Sequence, residues 1–200
     1  MKVNKEQIIR EALHFFASHD YDRASLNDIA KALSITKGGI YHYFESKDDL
    51  FHQVILYMLD RMDALMGESM MGEQSLKEML EPYFQLEEVA KLYSKAAGID
   101  LLGEYSNVIY LIFTSIKKFP DVQQRMDQLY ERYRYGMEIL FRDAQSRGEI
   151  RRDQDPAGLA FEVTAFIEGG MLLTAVQERL DGNRMGGLVF ENFWKRITAG

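Results

Sequence analysis

Cysteine is absent from this chain of 200 residues. That excludes a disulfide scaffold, a thiolate zinc site and a cysteine nucleophile. Proline is scarce, standing only at Pro82, Pro120 and Pro156, so little interrupts long helices. There is no excess of positive charge: Lys+Arg 24 against Asp+Glu 31 give a net charge of −7. Such a balance argues against coating nucleic acid or an anionic membrane with the whole surface, while leaving room for a small basic site. Long apolar runs are missing too. Runs such as Val108 to Phe113, with none longer, are far short of the roughly 20 residues of a membrane span. The opening stretch MKVNKEQIIR lacks the apolar core of a signal peptide. The expectation is a soluble, non-secreted, cytoplasmic protein without a membrane partner.

The chemistry of catalysis is also thin. No Walker motif and no G-x-G-x-x-G occurs. Carboxylates are plentiful, but they form no spaced acid/base pair and no triad, and the single Glu-x-x-His, Glu11 to His14, has no second such set to complete a metal site. His14, His19, His42 and His52 are scattered, and none has metal-ligand spacing to another histidine plus a carboxylate. These absences point away from an enzyme, a metal site and a cofactor.

What is present reads as helix. Hydrophobic content of 46% with 28% charged residues suits a packed globular fold, and no segment alternates with period two. An all-α protein is predicted. Ile8, Ile9, Ala12, Leu13 and Phe16 stripe a first helix, Lys5 to Ser18. Ser25-Leu26-Asn27-Asp28 has the capping-box pattern and opens a short helix ending at Ser34. Thr36 is placed as the N-cap of a third helix reaching Phe44, with Ile35 and Ile40 as a hydrophobic staple. Ser46-Lys47-Asp48-Asp49 repeats the capping-box pattern before a long helix to about Met66.

Longer segments follow: Leu76 to Tyr93 with a kink or boundary at Pro82, Glu104 to Lys118, Asp121 to Arg147 with Gly148 as its C-terminal stop, Asp155 to about Leu180, a turn at Asp181-Gly182-Asn183, and Met185 to Ile197. A domain boundary is expected near Ser46, with residues 1–46 as one domain and 47–200 as another.

Two short helices joined by a tight turn behind a supporting helix form the helix-turn-helix pattern, whose second helix enters the DNA major groove. Here that helix offers Lys37, Gly38, Gly39, Tyr41, His42 and Tyr43 outward, starting from Thr36. Lys37 suits a phosphate or a guanine edge. Tyrosine and histidine supply donors, and the glycines let backbone approach closely. Gly38-Gly39 also reads as a loop that breaks the helix, but the Ile35/Ile40 staple favours the helix. Tyr41 and Tyr43 are two residues apart and cannot share a face, so at least one points away from the Ile40/Phe44 core. Lys47 adds a phosphate partner at the next helix start.

The stretch ASLNDIAKALSITKGGIYHYFESKDDLF resembles the helix-turn-helix of the tetracycline repressor (TetR) family of bacterial transcription regulators. Tyr41-x-Tyr43-Phe44-x-Ser46-Lys47-x-x-Leu50 carries the resemblance most specifically. It implies a homodimeric, ligand-responsive repressor bound to a palindromic operator. A helical protein-interaction module that no longer binds DNA is the alternative. By the family pattern, DNA contacts fall on Ser25, Asn27, Lys37, Tyr41, His42, Tyr43 and Lys47. Gly39 stands where many members carry Thr or Ser.

The resemblance also implies a small-molecule cavity in the C-terminal bundle. Tyr105, Tyr110, Phe113, Tyr130, Tyr133, Met137, Phe166 and Glu168 are the candidate lining, although such residues serve a plain core equally well. Glu168, beside Phe166 and Ile167, would favour a cationic ligand; Asp100 and Glu104 also sit in apolar surroundings. Val189, Phe190, Phe193, Trp194 and Ile197 make the last helix apolar over a wide arc. With Met171, Leu172 and Val176 it would form a two-fold four-helix interface, unless it packs wholly within its own subunit.

Overall fold

Helix starts in this protein are set by side chains that satisfy the otherwise unpaired first N–H groups. The computed structural model describes residues 3–19, 21–69, 74–98, 101–177 and 179–198. Among them there are helices and no strands: α1 (Lys5–Ser18), α2 (Leu26–Ala32), α3 (Lys37–Tyr41), α4 (Lys47–Ser69), α5 (Leu76–Leu80), a 3₁₀ turn (Glu81–Phe84), α6 (Leu86–Ala97), α7 (Leu101–Lys118), α8 (Pro120–Arg147), α9 (Pro156–Val176) and α10 (Gly182–Thr198). Full capping boxes form at Asn4/Gln7 and at Ser75/Glu78.

The other two boxes are modified. Ser25 Oγ accepts from the Asp28 N–H, but Asp28 takes the Ser25 hydroxyl at 2.5 Å rather than its backbone N–H. Ser46 Oγ caps the Asp49 N–H at 3.0 Å, while the Asp49 carboxylate reaches one residue further back, to the Glu45 N–H at 2.8 Å.

Stops are equally local. The 149→144 and 148→145 hydrogen bonds of a Schellman motif end α8, with Gly148 at φ +75°. The same motif ends α2: Ile35 N–H bonds the Ala30 carbonyl and Ser34 N–H the Lys31 carbonyl. There the left-handed position, φ 54°, is held by a serine. Pro82 falls in the 3₁₀ turn that separates α5 from α6.

Three expected boundaries need correction. The third helix stops at Tyr41 instead of Phe44, because the chain tightens into turns closing on the Ile40 carbonyl. The helix from Asp155 ends at Val176, short of Leu180. Asp181-Gly182-Asn183 begins the last helix instead of preceding it: Asp181 caps the Arg184 N–H at 2.9 Å, and the Asn183 side-chain Oδ1 accepts from the Glu87 N–H of α6 at 3.0 Å.

The chain forms two compact units, residues 1–63 with 94–127 and residues 64–93 with 128–200. This grouping differs from the division between short and long helices at Ser46; it falls inside α4, α6 and α8. In the first unit, Ile8, Phe16, Ile29, Ile40, Phe44 and Phe51 make the core. Phe51 meets Phe16 edge-on at 5.4 Å, and Asn107 of α7 donates to the Ala17 carbonyl at the end of α1. Arg125 of α8 ties to Asp60 at 2.7 Å and Asp63 at 3.1 Å, both on α4.

In the second unit the Phe84 ring stacks on Phe166 at 4.7 Å and lies 5.1 Å from Phe190 and 5.6 Å from Phe193. Gly186 makes this possible. A Cβ there would stand 1.7 Å from the Phe84 carbonyl oxygen, so only glycine lets α10 pack this close to the 3₁₀ turn.

Candidate functional site

The surface of α3 is the first candidate. Thr36 Oγ1 caps the Gly39 N–H at 3.1 Å and fixes the helix start. The Ser34 turn sets the path from α2 into α3. Ile40 is fully buried and anchors the helix from beneath. Around it, Asn27 on α2 and Thr36, Lys37, Gly38, Tyr41 and His42 on and beside α3 are exposed. Lys37 Nζ lies 5.7 Å over the Tyr41 ring, as an i, i+4 pair should. Tyr41 is 48% exposed although apolar in body.

Neither Gly38 nor Gly39 is required by packing: an added Cβ would find nothing closer than 3.7 Å and 3.6 Å respectively. Two glycines cost a helix about 1 kcal/mol each relative to alanine, so their presence favours a role in contact over a role in folding.

Ser25, Tyr43 and Lys47 are placed differently. Each is half-buried and already engaged. Ser25 is held by Asp28. The Tyr43 hydroxyl donates to the Val3 carbonyl at 3.3 Å, and its ring meets His42 edge-on. Lys47 Nζ donates to the Tyr21 carbonyl and sits 4.2 Å over the Tyr21 ring. Burial pulls the Lys47 ammonium below its ordinary pKa.

Tyr21 is a hub that the sequence did not disclose. Its hydroxyl donates to Asp48 and receives Lys118 Nζ at 3.2 Å; Lys118 also pairs with Asp48. Burial first, then the bond to Asp48, raise the phenol's pKa. Bonds from Lys118 and Tyr21 hold Asp48 below the usual carboxylate range. His52 pairs with Asp121 at 2.6 Å, and its ring lies tilted against Phe119 at 4.6 Å. The partners are 27 to 97 residues apart in sequence, which no local pattern reveals.

The proposed ligand lining is divided. Tyr105, Tyr110 and Phe113 belong to the first unit, where Tyr110 and Phe113 are 45% and 60% exposed. Tyr130, Tyr133, Met137, Phe166 and Glu168 belong to the second. Met137 is fully buried and Phe166 is part of the Phe84 stack. Asp100 and the side chain of Glu104 lie outside the described residues.

Tyr130 and Glu168 meet: the phenol donates to the carboxylate at 2.9 Å. Burial raises the Glu168 pKa, against the effect of that bond. Tyr133 is buried beside them, its ring edge-on to Tyr83 at 6.3 Å, and its hydroxyl has no hydrogen-bond partner among the described residues. Burial, then the neighbouring Tyr93, Tyr83, Glu168 and Tyr130, push its pKa well above the ordinary phenol value.

Of the proposed interface residues, Met171, Phe190, Phe193 and Ile197 are buried within their own unit, and Trp194 is half-buried against Phe190. Leu172, Val176 and Val189 are exposed, together with Phe161, Leu173 and Leu188. The wide apolar arc of α10 thus has an inner and an outer side. Among the described residues, α9 is the one helix long and apolar enough to cross a membrane by length and composition.

Residues 8–54 match the family described as bacterial regulatory proteins, tetR family, and residues 117–192 match the C-terminal region of the BetI-type transcriptional repressors. The chain is 40% identical over 52 residues to the probable acrEF/envCD operon repressor of Escherichia coli, a match spanning 26% of this chain and 24% of that protein. It is 24% identical over 149 residues to the transcriptional regulator QacR of Staphylococcus aureus, covering 72% of each.

Among solved structures, a TetR-family regulator from Cytophaga hutchinsonii superposes with TM-score 0.73 at 20% identity over the whole of both chains. FadR of Bacillus subtilis, in complex with stearoyl-CoA, gives 0.65 at 18% identity over 97% of this chain and 100% of its own. At these identities the structural likeness concerns the fold.

Proposed function

We propose, because this chain belongs to the TetR family of DNA-binding bacterial transcriptional regulators, that it represses transcription as a cytoplasmic homodimer on a palindromic operator and is released by a small molecule held in its second unit. The observation that carries the DNA side of this reading is the exposed face of α3. Lys37, Tyr41 and His42 stand on a helix pinned by Ile40 and the Thr36 cap, with Asn27 exposed near the start of α2. Lys37 contacts a phosphate or a guanine, Tyr41 and His42 contact the backbone or base edges, and Gly38-Gly39 let the groove come close. Ser25, Tyr43 and Lys47 hold the frame from which this face projects, and Lys47 does so through the Tyr21 loop.

The dimer reading is supported by Leu172, Val176 and Val189 on the outer side of α9 and α10. Exposed aliphatic residues gathered on two long helices suit a self-complementary four-helix contact, with Phe190, Phe193 and Ile197 bracing α10 from behind. Two-fold symmetry then sets two α3 helices in successive major grooves, about 34–36 Å apart. An effector acts by binding one of two head spacings better than the other, and can shift the balance only by that difference in affinity.

The test is selection of binding sites from random duplex DNA by the full chain, with light scattering for its mass. An enriched palindrome bound by a dimer is expected. Lys37→Ala should weaken binding on all sites and lower the salt slope by about 1. A monomer, or a library that yields no enriched motif, overturns the proposal.

A further inference from the structure

The second unit holds a cluster whose chemistry is incomplete. Tyr133 Oη is buried without a hydrogen-bond partner among the described residues. A hydroxyl left this way destabilises a fold, and phenylalanine would fill the same volume without the cost. Around it stand the phenols of Tyr83, Tyr93 and Tyr130 and the carboxyl of Glu168, all near enough to act on it electrostatically. Glu168 is bonded by Tyr130 alone at 2.9 Å. No Lys, Arg or His pairs with it among the described residues, in a chain where Asp48, Asp60, Asp63 and Asp121 all have such a partner.

Burying an acid without a counter-charge is unfavourable unless the charge comes from elsewhere. Tyrosine faces, negative at their π-surfaces, add to the demand for positive charge. Tyr130 and Glu168 are only half-buried, so the cluster can be reached from the surface.

We propose that Tyr83, Tyr93, Tyr130, Tyr133 and Glu168 form the binding site of an organic cation, an ammonium group on an apolar body. The ammonium pairs with Glu168 and lies against tyrosine faces, while the Tyr133 hydroxyl gains its missing partner from the ligand. This rests on the effector reading above and gives it a chemical class. The rival is a structural pair, a protonated Glu168 that only holds Tyr130.

The experiment titrates the full chain with 4-phenylbutylamine, 4-phenylbutanol and 4-phenylbutyrate, one scaffold carrying three charges, by calorimetry. The amine is expected to bind about tenfold or more tighter than the alcohol, and the acid weakest. Glu168→Gln keeps an acceptor for Tyr130 and should abolish the preference for the amine over the alcohol. Tyr133→Phe should weaken the amine a few-fold while the variant melts no lower than the parent. Equal binding of amine and alcohol, an amine preference that survives Glu168→Gln, or binding of none of the three at millimolar concentration overturns the proposal. DNA selection by the same preparation separates the two readings. An enriched palindrome beside an unselective titration discards the cation and leaves the regulator standing.

Discussion

Tyr21 in the first unit and Tyr133 in the second are both buried phenols, 7% and 4% exposed. Their hydroxyls have opposite fates. Tyr21 donates to Asp48, accepts from Lys118 and carries Lys47 on its ring. Tyr133 has four polar neighbours in electrostatic range and, among the described residues, no hydrogen bond. The acids beside them differ likewise: Asp48 is held ionised by its partners, whereas burial disfavours the charge on Glu168. A closed network fixes geometry, which a DNA-reading head requires. An open one gains stability when something enters, which the proposed effector site would require. Glycines follow the same contrast: Gly186 is demanded by packing in the second unit, while Gly38 in α3 has room around it.

The largest effect that bears on this contrast is expected at Gly186. Gly186→Ala drives a methyl into the Phe84 carbonyl and should cost about 3 kcal/mol or more, read by chemical denaturation. A variant as stable as the parent would mean that α10 does not pack against the 3₁₀ turn as described. The next effect is a matched pair. Tyr21→Phe should lose about 1–2 kcal/mol with its bond to Asp48, while Tyr133→Phe should be neutral or gain up to about 1 kcal/mol. Equal losses at both positions would erase the distinction between closed and open networks. The smallest is Gly38→Ala. It should gain about 0.5–1 kcal/mol in stability and lose operator affinity; a gain in both would deny the glycine a contact role.

Many helix starts and stops, in both units, were legible because their information is local. Ser25, Thr36, Asp155 and Gly148 act within five residues of themselves, so their caps and stops could be read directly. The same locality misled at Asp181, which is a good turn residue and an equally good cap; the choice lies with Asn183, which caps α6 from far along the chain. For Lys47, the helix start suggested a phosphate partner; what the sequence did not disclose is that its ammonium also meets the Tyr21 carbonyl and ring. In the last helix, periodicity disclosed an apolar arc but could not divide it. Packing against Phe84 takes Phe190 and Phe193, and Val189 and Leu188 are left outside.

The amino-acid sequence by itself determined that this is an all-helical chain opening on a helix-turn-helix, because stripes, caps and stops depend on neighbours a few residues away. Only the tertiary structure decided that Tyr21 is a completed hub and Tyr133 an incomplete one. Both are tyrosines in apolar surroundings, and their difference lies in which distant side chains the fold brings within reach of a single hydroxyl.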